Sequence, residues 1–148
     1  MTNIGLAKSY LVKAEKRLKI LPVLYQENDY SDVIRESQEI VELSLKGLLR
    51  NAGIEPPKHH DVGPLLEEHR ERFPHIADND IRTLARISKE LRKERELSFY
   101  GDIDFIPTES YTINDAEKAM EDAQFVVMLV KREIERSDYA APKGFKLD

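Results

Sequence analysis

The sequence predicts an all-α fold, an antiparallel up-and-down helical bundle of four long helices plus one short helix. Apolar residues recur at three- and four-residue intervals through four long segments. No stretch alternates apolar and polar residues with period two over a useful length. The connectors are short and punctuated by proline, glycine and helix-capping residues.

The first helix is expected over residues 3–20, where Ile4, Ala7, Leu11, Ala14, Leu18 and Leu21 form one stripe. Lys8, Lys13, Lys16 and Lys19 lie on its other faces, and Pro22 ends it or kinks its last turn. Asn28-Asp29 offers a cap for a second helix running to Asn51. Its stripe is Val33, Ser37, Ile40, Val41, Ser44, Leu45 and Leu48, and the small Ser37 and Ser44 let a neighbour approach closely. This should be the central helix, stopped at Asn51-Ala52-Gly53 by a left-handed glycine. A connector with the stiff Pro56-Pro57 leads to a short helix over 62–72 carrying Leu65 and Leu66 and closed by Pro74.

Asp78 or Asn79 caps the next long helix, expected over 80–100. Its apolar arc is Ile81, Leu84, Ala85, Ser88 and Leu91, leading to Arg95 and Ser98, and Gly101 stops it. Arg82, Arg86, Lys89 and Lys93 form a basic ridge on the opposite side. Residues 101–111 are a loop, and Thr112-Ile113-Asn114-Asp115 has the form of a capping box. The final helix runs to Arg136 and buries Ala116, Ala119, Met120, Ala123, Val127, Val130 and Ile134. The bundle is thus one domain over residues 1–136, and 137–148 is expected to be a loose tail.

A chain of 148 residues with 41% hydrophobic content can build one proper core. With no cysteine it has no disulfide or thiolate metal site, which fits a reducing cytoplasm. Met1 to Lys13 holds no signal-like apolar run, and Phe125 to Val130 is too short to span a bilayer, so a soluble, cytoplasmic protein is expected. A net charge of −5 with 34% charged residues argues against indiscriminate coating of nucleic acid but leaves room for a local basic patch.

Arg95 is the residue that asks most for a function. It sits mid-arc on a side expected to be buried, yet arginine cannot lose its proton and is rarely buried unpaired. Either it pairs with a carboxylate or snorkels to water, or it lines a cleft and grips phosphate in two-point geometry. Ser98, Tyr100 and Asp102 stand beside it. The basic ridge is either a solvated face or a track for a phosphate backbone. His59-His60-Asp61 brings histidines next to a carboxylate, but His69 and His75 lie on another element without ligand spacing, so no metal site is expected. Capping a helix is the better use of Asp61. No motif supports serine–histidine–aspartate catalysis.

Several features then fall in order: Asn28-Asp29-Tyr30; Glu42-Leu43-Ser44-Leu45-Lys46-Gly47-Leu48-Leu49; Gly53, Pro56-Pro57 and His60-Asp61; Leu65-Leu66; Arg95 with Tyr100-Gly101-Asp102; and Tyr111 to Ala116. This ordered set, spread over residues 5–135, resembles the HEPN domain (higher eukaryotes and prokaryotes nucleotide-binding). The resemblance implies an all-α homodimer, often the partner of a minimal nucleotidyltransferase in a toxin–antitoxin pair, and in many members a metal-independent ribonuclease. Such ribonucleases carry an arginine followed after four to six residues by a histidine. Arg95 matches the arginine, but the window ends at Tyr100, Gly101 or Asp102, so Tyr100 stands where the histidine would be. Starting from Arg92 does not supply one either. A phenol titrating near ~10 is a poor base at neutral pH, whereas an imidazole near ~6.5 is well matched.

The expectation is therefore a nucleotide- or RNA-binding bundle without cofactor or metal, in which Arg95, Ser98, Tyr100, Asp102, Arg92, Lys89 and His60 contact the ligand. An endoribonuclease with Arg95 and Tyr100 as catalytic residues, and a non-catalytic dimeric interaction module, are the alternatives.

Overall fold

The computed structural model describes residues 3–58 and 61–146, with side chains described as far as residue 137. The elements run α1 (Asn3–Leu18), α2 (Leu21–Gln26), α3 (Tyr30–Asn51), α4 (Gly63–Glu68), a 3-10 turn (Arg70–Arg72), α5 (Asp78–Lys93), α6 (Arg95–Phe99), α7 (Pro107–Ser110) and α8 (Ile113–Lys146). Among the described residues there is no strand, and no helix is long and apolar enough to cross a membrane. The four long helices α1, α3, α5 and α8 form the expected all-α bundle, with more short helices between them than the sequence suggested.

α3 is the axis of this bundle. It packs most extensively against α8 and α1 and also touches α2, α5, α6 and α7. The whole stripe Val33, Ser37, Ile40, Val41, Ser44, Leu45 and Leu48 is buried. Each of its large aliphatic side chains contributes roughly 1.5–3 kcal/mol by leaving water. Ser44 is accommodated by donating its hydroxyl to the Ile40 carbonyl at 2.8 Å. α3 stops as expected: Gly53 takes φ +78°, its N–H reaches the Arg50 carbonyl at 2.9 Å, and the Ile54 N–H reaches that of Leu49 at 2.9 Å.

Four boundaries differ from expectation. Pro22 does not close the first helix; it occupies the first turn of α2, where its missing N–H costs nothing. Residue 77 rather than 78 or 79 caps α5, and Asp78 and Asp80 complement the helix dipole from its first turn. Pro107 opens the four-residue α7 inside the expected loop. α8 continues in helical backbone to Lys146, through the segment expected to be a loose tail. At its other end the capping box is reciprocal: the Thr112 N–H donates to Asp115 Oδ2 at 2.9 Å and the Asp115 N–H to Thr112 Oγ1 at 3.2 Å.

The largest departure is in the helix expected over 80–100. It breaks at Glu94 into α5 and α6, with Glu94 at φ −86° and ψ −4°. α5 buries Ile81, Leu84, Ser88 and Leu91, and also Ile87, which the expected arc omitted. α6 turns against α3, and this break sets the geometry around Arg95.

Candidate functional site

Leu91 and Ser98 are both buried, yet Arg95 between them is not. In an unbroken helix the three would share one side, and the guanidinium would be driven into the core. The break resolves this conflict. The Glu94 N–H bonds the Leu91 carbonyl at 3.1 Å, closing α5 tightly, and the Ser98 N–H bonds the Glu94 carbonyl at 2.8 Å, restarting the helix. Tyr111 pins the joint by donating its hydroxyl to Glu94 Oε2 at 2.6 Å. Burial and that bond push the Tyr111 phenol above its ordinary range, so it remains a donor. Arg95 emerges with 41% of its side chain exposed and lies 3.8 Å from Glu39 Oε1. The expected burial of Arg95 is thereby corrected: the joint turns the guanidinium outwards, where it is part exposed and faces a carboxylate.

α3 supplies the groups that face it. Arg92 Nη1 donates to Glu42 Oε1 at 2.7 Å, and Gln38 Nε2 reaches the same oxygen at 3.5 Å. Lys46 Nζ lies 3.8 Å from Glu42 Oε2, and Arg35 Nε lies 3.4 Å from Glu39 Oε1. Arg17 of α1 donates to both oxygens of Glu36, at 3.1 and 2.9 Å. The result is a seam of alternating charge along α3, with cations brought to it by α1, α5 and α6. Above it, the Arg35 guanidinium stacks over the Phe99 ring at 4.8 Å from its centroid. An open cavity of about 510 Å³ lies here, walled by Arg17, Arg35, Glu36, Glu39, Ile20 and Phe99. Asp32 also borders it, and burial followed by a hydrogen bond with Asp29 raises its carboxyl to about 6.

The other expected ligand contacts divide. Tyr100 is 75% exposed, its ring edge-on to Phe99 at 4.8 Å, so it stands beside Phe99 and is open to a partner. Lys89 is exposed one turn before Arg92. Ser98 is fully buried and donates to the Arg95 carbonyl at 3.2 Å; it serves packing and cannot touch a ligand. Asp102 is spent on its own turn, accepting the Ile103 N–H at 2.7 Å. His60 lies outside the described residues. Asp61 is not the cap of α4, which is Val62; its Oδ1 accepts the Gly63 N–H at 3.1 Å and the Ser88 hydroxyl at 2.8 Å, tying the start of α4 to α5. The ridge residues Arg82, Arg86, Lys89 and Lys93 are exposed, and Arg86 pairs with Glu90 at 2.8 Å. Among the described residues no three His, Asp or Glu side chains gather to hold a metal.

The seam's carboxylates, with Arg17, Arg35 and Phe99, were not singled out from the sequence. A signal existed on α3, where Arg35, Glu39, Glu42 and Lys46 recur at three- and four-residue spacing on a polar edge beside the buried stripe. Nothing local linked that edge to Arg95, 56 positions after Glu39.

A family model described as "HEPN domain" matches residues 7–134. The chain is also similar to the protein named "Putative toxin MJ1304" from Methanocaldococcus jannaschii, at 28% identity over 137 residues that cover 87% of this chain and 88% of that one.

Proposed function

This chain belongs to the HEPN domain family, and from that premise we propose that it is a toxin-like, dimeric protein that binds the phosphates of RNA or a nucleotide and works with a nucleotidyltransferase partner. The observation that carries the binding reading is the state of Arg95. Its guanidinium is part exposed and held only at 3.8 Å, beyond hydrogen-bond length, to Glu39, which lines the cavity. A phosphate replaces that loose contact with two charge-assisted bonds in fork geometry. Tyr100 beside it offers a ring for a base to stack on. The family supports a role in RNA biology, and the name of the relative supports the toxin-like reading. Tyr100 in place of a histidine favours binding over cleavage, because a phenol is a weak base at neutral pH.

The test is a fluorescence titration of a labelled single-stranded RNA at low salt, without metal and in EDTA. Arg95→Ala is expected to weaken binding about tenfold, the value of one charge-assisted phosphate contact. Glu39→Gln is expected to tighten it, since it removes the competing carboxylate. No binding by the wild type, or binding unaltered in Arg95→Ala, overturns the proposal.

A further inference from the structure

Four cations stand in line on the outer face of α5. Arg82, Arg86, Lys89 and Lys93 are all exposed, and their spacing places them within about 60° of arc, opposite the buried Leu84 and Leu91. Like charges three and four residues apart repel and weaken a helix. Elsewhere the chain sets opposite signs four residues apart, Arg35 with Glu39, Lys46 with Glu42 and Lys118 with Asp122. On the ridge Arg86 has such a partner, Glu90 at 2.8 Å. Among the described residues no carboxylate pairs with Arg82, Lys89 or Lys93. The acids beside them are already engaged: Asp78, one turn before Arg82, with Arg70 at 3.7 Å, and Glu90 with Arg86 and Lys118. A chain of net charge −5 thus concentrates positive charge in one strip and leaves it uncompensated.

The strip runs towards Arg95. Lys93 closes α5 and Arg95 opens α6, with Glu94 alone between them. From Arg82 to Lys93 the helix rises about 16 Å, the length of roughly five stacked nucleotides at ~3.4 Å each. A mononucleotide held at Arg95 cannot cover that length, whereas a strand can.

We propose that the α5 ridge is a second phosphate site, a track for the backbone of a single-stranded RNA whose end lies at Arg95. This rests on the phosphate-binding reading of Arg95 and deepens it: the ligand is a strand of several nucleotides and not a free nucleotide. The ridge is one side chain wide, so it neutralises one strand. Tyr100, 75% exposed past its end, offers its ring to a base, which must be unpaired to stack there. The ridge holds no aromatic side chain, so it contacts phosphates and carries no sequence preference. The affinity it adds falls with salt.

Fluorescence anisotropy with a labelled single-stranded RNA of about a dozen nucleotides, in EDTA and across a salt series, tests the track. The ridge variant is Arg82→Gln/Lys89→Gln/Lys93→Gln, which spares Arg86 and its bond to Glu90. The control, Lys16→Gln/Lys19→Gln/Arg132→Gln, removes the same charge from exposed positions on α1 and α8. In a plot of log Kd against log salt concentration the ridge variant is expected to be shallower than wild type by about 2, three contacts at ~0.7 each. Its affinity at low salt is expected to fall at least tenfold, and the control to match wild type. A thermal melt no lower than wild type is expected, because repulsion has been removed. Lys89→Gln alone, expected to be shallower by about 0.7, reads the track should the triple variant fold poorly. A ridge variant parallel to wild type, or a control as shallow as the ridge variant, overturns the track, and weakened binding by Arg95→Ala then leaves the Arg95 reading standing. A shallow ridge variant with Arg95→Ala unchanged keeps the ridge as a phosphate site and overturns Arg95 as its end. No binding by the wild type overturns both.

Discussion

A guanidinium cannot shed its charge to suit a core, so the chain had to reshape itself around Arg95. The backbone breaks one residue earlier, and Glu39 and water share the cation. Arg92, one turn back, is held far more firmly, at 2.7 Å from Glu42. The contrast separates a structural arginine from one poised to exchange partners. Asp32 shows the same principle for an acid. Its carboxyl is raised from 3.8 to about 6, chiefly by burial and then by Asp29. A raised carboxyl binds more protons when folded than unfolded, so this group costs stability as pH climbs from about 4 through 6. Asp32→Asn is therefore expected to stabilise the protein at pH 7.5 by roughly 1 kcal/mol once solvent screening is allowed for, with the gain vanishing below about pH 4. Denaturant melts of both proteins across pH 4 to 8 check this; an equal difference at every pH would contradict it. At this scale the sequence showed the anomaly of Arg95 but not its partner, because Glu39 is brought to it by packing and not by proximity along the chain.

Elements whose stripe and ends were both written locally were legible. α3 shows this in its buried stripe and its glycine stop, and α8 in its reciprocal cap. The break between α5 and α6 was not, because Leu91 to Phe99 contains good helix formers and no proline or glycine. It is imposed from outside, by Tyr111 on Glu94 and by α3 against α6. Pro22 misled in another way, since proline marks a helix start as well as a stop. The turn after α6 was marked by Gly101, whose positive φ glycine adopts without the steric penalty of a Cβ. Gly101→Ala is expected to lower stability by about 1–3 kcal/mol, the cost of strain plus the displaced Phe105 carbonyl. A chemical-denaturation midpoint indistinguishable from wild type would show that the turn is not held as described.

The whole molecule is a bundle wrapped on α3, and the same helix serves two purposes. One side carries the stripe that packs α1 and α8, and the polar edge beside it carries Glu36, Glu39 and Glu42. Packing and site are thus coupled: the register that buries Ile40 and Leu45 also aligns the carboxylates with the arginines of α1, α5 and α6. The fold was legible because helical periodicity is a property of the chain itself. The site was half legible, because Arg92, Arg95, Phe99 and Tyr100 lie in one local stretch, whereas the carboxylates and Arg35 come from α3 and Arg17 comes from α1. The salt dependence of RNA binding tests the central claim, that Arg95 holds a phosphate, most directly. In a plot of log Kd against log salt concentration, Arg95→Gln is expected to be shallower than wild type by about 0.7, the share of one phosphate contact on a single strand. Parallel lines for the two proteins would contradict it and leave Arg95 with only its carboxylate.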